Sequence, residues 1–361
     1  MKNISKKKNW IIEHVGMSEW YMDAIIGYIA IHNSSFKPMN EKLNHFNISL
    51  DSKKLMNSNN KKMLKESIKY SYVNYSHSHF NNIFNINDLS FKNFPKNIDI
   101  FTYSFPCQDL SIQGLQKGIK KELNTRSGLL WEIERLFLEI KENFKVDELP
   151  KYLLMENVTN LLGKKNINYY NEWLNQLDKI GYASKTYVLN SKDFGSPQNR
   201  SRVFCLSIRK DFMKKINYTF KDIIPIENDS ILKDVIDLDN KSNLIDLKNY
   251  KITNYTKTKN GVIHKKIENY TKFNSENYIY SINGKGPTLT ASGANSRIKI
   301  EIDNFVRYMD AKESFLYMGF ELDDYIKVKN TGLLSNNKII FLAGNSIPVQ
   351  LLEKIFDTLD F

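Results

Sequence analysis

Cysteine is almost missing from this chain, with two in 361 residues. That scarcity excludes a disulfide scaffold and fits a reducing compartment. Long apolar runs are absent too. No segment approaches the length of a bilayer span, and no apolar stretch follows the lysine-rich start as a secretory leader would require. A cytoplasmic protein without a membrane partner is expected. Acidic residues are in short supply: Lys and Arg outnumber Asp and Glu by 52 to 40, a net charge of +12 and a pI near 9.2. Such an excess suits a polyanionic partner, and nucleic acid fits it better than a membrane surface. Internal repeats are not found. The length accommodates one large domain and one smaller domain.

What is present has an α/β rhythm. Residues 11–15 read as a strand and 21–32 as an apolar helix. A polar stretch rich in Lys, Asn and Ser at 51–61 reads as an insertion or an exposed helix. Strands are predicted at 98–103, 152–155, 182–189 and 202–208, and helices at 127–144 and 169–180. The 127–144 helix carries apolar residues at Leu129, Leu130, Ile133, Leu136, Phe137 and Ile140, a helical period. Alternation of this kind predicts an open, mostly parallel α/β sheet of Rossmann-like architecture. From about 210 to 305 the chain turns polar, tyrosine-rich and irregular, and reads as a smaller target-binding domain. The predicted division is therefore 1–209, 210–305 and a return to the first domain at 306–361. That return carries a helix at 310–318, a short strand at 339–343 and a closing helix at 347–359.

The most informative stretch is Thr102-Tyr103-Ser104-Phe105-Pro106-Cys107-Gln108-Asp109-Leu110-Ser111. A short buried strand ends, the chain turns at a proline, and one thiol follows, with Gly114 and Gly118 in the loop behind it. A strand that delivers a thiol to the carboxyl edge of a sheet is a nucleophile site in outline. Alone, Cys107 reads more readily as one more small buried hydrophobe, and Cys205, inside a strand-like run, is read that way. Three further signals follow in order: Met155-Glu156-Asn157-Val158, Gln198-Asn199-Arg200-Ser201-Arg202 and Gly344-Asn345-Ser346-Ile347-Pro348-Val349. Between the last two lie Gly286-Pro287-Thr288-Leu289-Thr290 and the run from Arg307 through Glu313 to Gly319-Phe320. Each is weak by itself, since a Glu-Asn pair after a strand is commonly a helix start and paired arginines are commonly a solvated edge.

In this order and spacing, the motifs resemble the DNA cytosine-C5 methyltransferases, most closely the CpG-methylating enzymes of mollicutes. The resemblance runs from about Asn9 to Phe361. It implies the following chemistry. The thiolate of Cys107 adds to carbon 6 of cytosine, which makes carbon 5 nucleophilic. That addition needs a proton or a strong hydrogen bond at N3, so Glu156 must carry a proton and its site should raise its pKa. Arg202 holds the base O2 and Arg200 supports the site, both adding positive potential that favours thiolate. The target base must be flipped out of the duplex, and the loop with Gly114 and Gly118 closes over it.

The implied methyl donor is S-adenosylmethionine, and no metal is required. Glu19 matches a ribose-binding carboxylate and Trp20 an adenine-stacking aromatic. Asn85 and Ile86 stand where the family has an acidic and an apolar residue, and Asn85 accepts from the adenine amino group. Phe105 and Asn345 complete the candidate donor pocket. Duplex DNA is the implied partner of a monomeric, nucleoid-associated enzyme. Its predicted contacts are Gln108, Ser111 and Gln113 after the thiol, and Ser292, Ala294, Asn295 and Arg297 within the 288–297 segment, which reads the guanine beside the flipped cytosine.

One departure stands out. The family's opening strand, Phe-x-Gly-x-Gly loop and helix are not matched, and the sole Gly-x-Gly, Gly284-Lys285-Gly286, lies in the second domain. The shortfall is roughly 25–30 residues, and it predicts an unpaired interior sheet edge and a weakened donor site. Three readings stay open: an active DNA methyltransferase, a non-catalytic DNA-binding remnant, and a relative acting on tRNA.

Overall fold

The computed structural model describes residues 2–44, 46–56, 67–105, 129–227 and 229–361. Helices α1 (Lys2–Lys8), α2 (Met22–His32) and α3 (Ile68–Phe80) precede strand β1 (Ile100–Ser104). Next come α4 (Leu130–Asn143), β2 (Tyr152–Val158), α5 (Ile167–Ile180), β3 (Tyr182–Asn190), β4 (Ser201–Arg209) and α6 (Lys210–Lys215). A second set of strands follows: β5 (Thr256–Lys257), β6 (Ile263–Lys266), β7 (Tyr278–Ser281), β8 (Lys299–Ile302) and β9 (Phe305–Tyr308). The chain ends in α7 (Ala311–Tyr317), α8 (Leu322–Asn330), α9 (Asn336–Asn345) and α10 (Val349–Asp357).

The first sheet has the order β1-β2-β4-β3. β1 and β2 are parallel, as the α/β reading requires, while β4 runs antiparallel between β2 and β3. The reason is the short connection 191–200, which folds the chain straight back where a parallel pair would need a helical crossover. Helices cover the sheet through regular apolar stripes. On α5, Tyr170, Trp173, Leu177 and Ile180 are buried on one face, and Gly181 closes the helix in the left-handed conformation at φ +118°. Trp173 is fully buried and its indole Nε1–H donates to the Tyr103 hydroxyl at 2.9 Å, pinning α5 to β1. The opposite face packs on Leu351, Ile355 and Phe356 of α10. Cys205 is buried on β4, where burial pushes its thiol pKa up, as a core residue requires.

Three segments differ from the sequence reading. Residues 11–15 form no strand: Ile11 is 98% exposed and Ile12 is exposed beside it. A strand needs a partner for its backbone, and among the described residues β1, at the sheet edge, pairs only with β2. Residues 339–343 are helical, within α9, with Ile339 and Ala343 buried one turn apart. A five-residue apolar run does not separate the two periods. The 210–305 region is more regular than its composition suggests, because it holds the five-stranded sheet β5-β6-β7-β8-β9. That sheet takes in 305–308 as well.

By length and composition the run 336–357 is apolar enough to cross a membrane, contrary to the sequence reading. In the fold it is broken between Asn345 and Val349, where Pro348 caps α10, and both helices bury side chains in the protein core.

Candidate active site

The site starts from strand register. Ser104, the last residue of β1, pairs with Glu156 on β2, and Arg202 on β4 pairs with Val158. Directly opposed residues share a sheet face, as do residues two apart on one strand. Glu156, Val158 and Arg202 therefore point the same way, and Arg202 Nε lies 3.0 Å from Glu156 Oε1. Both side chains are largely buried, at 13% exposure for Arg202 and 15% for Glu156. Burial raises the Glu156 pKa; Arg202 and then Arg200 oppose the rise but do not cancel it. A carboxyl that keeps its proton above the ordinary range, held by an arginine, is a general acid in form.

Phe105 follows Ser104 and is buried, and its carbonyl accepts from the Asn157 side-chain amide at 3.0 Å. Asn157 thus holds the chain at the end of β1. Its signal in the sequence was its place beside Glu156. Cys107, Gln108, Ser111, Gln113, Gly114 and Gly118 lie outside the described residues.

Arg200 is only 3% exposed, and its guanidinium is committed to main-chain carbonyls. It donates to Leu289 O at 2.6 Å, Gly344 O at 3.2 Å and Ser346 O at 3.0 Å. Gln198 adds to the same joint: its Oε1 accepts from Leu289 N at 3.0 Å, and its Nε2 donates to Met318 Sδ at 3.1 Å. The Thr288 hydroxyl donates to Asn199 O at 2.7 Å. The turn before β4 is therefore stitched to the 288–289 segment and to the end of α9. Gly344 has to be small there, because a Cβ would sit 2.3 Å from the Thr290 carbonyl carbon. Sequence reasoning quoted Gln198 without giving it a task; its role depends on contacts about 90 residues away that local spacing does not carry.

Four of the six predicted donor residues come from two loops. Met17 bridges to Asn82 in parallel, and the buried Asn82 amide donates to Glu19 O while its oxygen accepts from Glu19 N, each at 3.0 Å. This holds Glu19 and Trp20 beside the chain that leads to Asn85 and Ile86. The Glu19 carboxylate accepts from Tyr21 N at 2.7 Å; burial raises its pKa and backbone hydrogen bonds partly counter it. Trp20 is half-buried. Asn85 Oδ1 caps a one-turn 3₁₀ helix by accepting from Asn87 N at 3.2 Å. Ile86 packs against the apolar cluster that contains Phe105. Asn345 is exposed at the end of α9, one turn beyond Phe341, whose ring meets Tyr21 edge-on at 5.6 Å.

In the 288–297 segment, Thr290 N donates to Asn295 O at 3.3 Å, and Gly293 adopts φ +81°. Ser292 is exposed, Ala294 opens a 3₁₀ turn, and Arg297 pairs with Glu276 at 2.8 Å while 62% exposed. The backbone here is held and open to solvent, a form suited to close approach by a polymer. Among the described residues, no cluster of His, Cys, Asp and Glu is placed to hold a metal ion.

Comparison with known proteins follows the same lines. The family model of C-5 cytosine-specific DNA methylases matches residues 43–360. The chain is 42% identical to the orphan methyltransferase M.SssI of Spiroplasma monobiae, over 99% of this chain and 93% of that protein. It is 32% identical to the type II methyltransferase M2.ScrFI of Lactococcus lactis subsp. cremoris, over 98% and 94%. Its fold resembles the solved Entamoeba histolytica methyltransferase EhMeth at a TM-score of 0.58 and 15% identity, covering 96% of this chain and 98% of that one. The Glu156–Arg202 pair at the strand ends and the family match across most of the chain agree, and the protein belongs to the C-5 cytosine-specific DNA methylases.

Proposed function

We propose that the protein methylates carbon 5 of cytosine in CpG steps of duplex DNA, with Cys107 as the nucleophile. The Glu156–Arg202 pair carries this reading, because it stands beside Ser104, three residues before Cys107 in the chain. The thiolate adds to carbon 6 of the flipped base while Glu156 delivers a proton to N3. Arg202 both holds Glu156 and presents its remaining N–H groups to the base O2. After methylation the proton on carbon 5 passes to water, N3 returns its proton to Glu156 as the carbon 6–sulfur bond breaks, and the thiolate is restored. Arg200 acts as a clamp on the surrounding backbone, not as a group on the base. S-adenosylmethionine supplies the methyl group. Glu19 fits its ribose hydroxyls, Trp20 its adenine face, and Ile86, Phe105 and Asn345 the pocket wall. Asn85 would meet the adenine through the lone pair or amide that its capping bond leaves. Residues 1–209 and 306–361 form the catalytic unit and 210–305 the target unit, acting as a cytoplasmic monomer on DNA.

A duplex with 5-fluorocytosine at the CpG tests the assignment. Fluorine cannot leave as a proton does, so a covalent complex should accumulate with donor present and survive a denaturing gel. Cys107→Ala should give no shifted band. A band that persists in that variant would mean another residue is the nucleophile.

A further inference from the structure

On the face of the β5–β9 sheet lies a cleft of about 280 Å³, bounded by Asn199, Asn260, His264, Tyr278 and Thr288 among others. Its floor follows from strand register. Thr256 on β5, His264 on β6 and Tyr280 on β7 are directly opposed across the strands, so their side chains share one face. Tyr278, two residues from Tyr280, shares it too, and its ring meets His264 edge-on at 4.8 Å. One wall is the turn joining β5 to β6. This turn is held by Gly261 N to Thr258 O at 2.9 Å, with Gly261 at φ +79°, and by Lys285 N to Gly261 O at 2.9 Å. Its tip carries the exposed Thr258 and Lys259, followed by Asn260; Lys257, opposite Ile263 at the end of β5, lies on the other face. The other wall is Thr288 and Asn295 of the segment already assigned to base reading.

The cleft ends at Asn199, which is bonded to Thr288 and stands three residues before Arg202. The cleft thus opens beside the turn that leads into Arg202, and Thr288 and Asn295 of the 288–297 segment line it, so on the proposed reading the base pairs beside a flipped cytosine face it. The lining suits base edges: amides and hydroxyls that donate or accept in the interior, with Lys259 on the adjoining turn for a phosphate. Burial lowers the His264 pKa, so its ring is neutral near pH 7 and offers one donor and one acceptor.

We infer that Asn260 and His264 are specificity-determining residues that contact base edges next to the flipped cytosine, while Lys259 binds a phosphate. This rests on the proposed CpG reading, and it extends sequence recognition beyond the 288–297 segment to the β5–β6 hairpin.

Competition binding tests it without requiring turnover. Wild type, Asn260→Ala, His264→Ala and Lys259→Ala are each titrated with a CpG duplex against matched CpA and CpC duplexes, at several salt concentrations. The cleft variants should lose about five- to hundred-fold in preference for CpG, the worth of one base contact, with affinity for CpA duplexes and thermal stability unchanged. Lys259→Ala should weaken all duplexes alike and flatten the salt dependence by about one unit of slope. A wild type that prefers CpG, with cleft variants that keep the full preference, overturns this inference alone. No CpG preference in the wild type overturns the reading on which it rests, and the inference with it.

Discussion

Arg200 and Arg202 sit two residues apart on one motif, yet Arg200 bonds main-chain carbonyls while Arg202 pairs with Glu156, and the proposed function gives them different work. Arg200→Ala removes three hydrogen bonds from a charged donor to the carbonyls of Leu289, Gly344 and Ser346, at 2.6, 3.2 and 3.0 Å. The donor is almost wholly buried, so water does not replace it freely. Each orphaned buried acceptor costs about 1–3 kcal/mol, and some relaxation of the 288–290 backbone reduces the sum. A net loss of about 3–5 kcal/mol is expected. At about 2–4 °C per kcal/mol for a domain somewhat smaller than this one, the melting temperature should drop by roughly 10 °C. Arg202→Ala loses a bond to its neighbour Ser201 O and the contact with Glu156, but burial already favours the neutral Glu156 carboxyl, which can keep a proton when its partner goes, so the melting temperature should fall less than for Arg200→Ala, by about 3 °C. Its single-turnover methylation rate, in contrast, should fall about 10²–10³-fold, as when one transition-state donor is removed. Calorimetry and tritiated methyl incorporation on the same preparations separate the two. An Arg200→Ala protein that melts like wild type and loses only rate would refute the clamp, and an unfolded Arg202→Ala would refute the site.

Three further outcomes follow from the same contacts. Burial raises the Glu156 pKa, so the protonated form persists above the usual carboxyl range and the rate should fall as pH rises through that raised value. The stability that Glu156 lends is likewise present at low pH and lost across the same rise; Glu156→Gln should abolish this limb and cut the rate about 10²–10⁴-fold, with duplex affinity retained. Glu313→Gln should cost about 3–5 kcal/mol in a urea titration, because Glu313 and Arg307 are both fully buried and paired; an unchanged midpoint would contradict it. Gly344→Ala places a Cβ 2.3 Å from Thr290 C and 2.4 Å from Ala291 N. Neither backbone can yield cheaply, so CpG methylation and melting temperature should fall together; normal activity would show that the joint is looser than its geometry.

Much of this protein was legible where the signal is local. The α5 stripe of Tyr170, Trp173, Leu177 and Ile180 is one face of a helix, and the structure buries each of them. The Glu-Asn and Gln-Asn-Arg-Ser-Arg motifs each marked a place where a strand meets the site. What was not legible depends on distant partners. Residues 11–15 have strand composition but lie unpaired, because pairing is a property of neighbours and not of side-chain type. Residues 339–343 took the helical period because α9 packs Ile339 and Ala343 into the core. The sheet of 256–308 was hidden by its short strands, two to four residues each, and by tyrosines and lysines that serve equally in loops.

The arrangement of the two sheets explains why one short turn holds so much of the motif. Residues 198–202 carry Gln198 and Asn199 toward the 286–289 segment, Arg200 toward both that segment and the end of α9, and Arg202 toward Glu156. Moving the target segment therefore means breaking Arg200 and Gln198 contacts made by the strand that also positions Arg202. On the proposed reading, in which the 288–297 segment reads bases and Arg202 holds the cytosine, both groups hang on one hydrogen-bonded frame, so a duplex seated in the wrong register on that segment brings no cytosine to Glu156. Cytosines outside a CpG should then be methylated more slowly even where the DNA is fully bound.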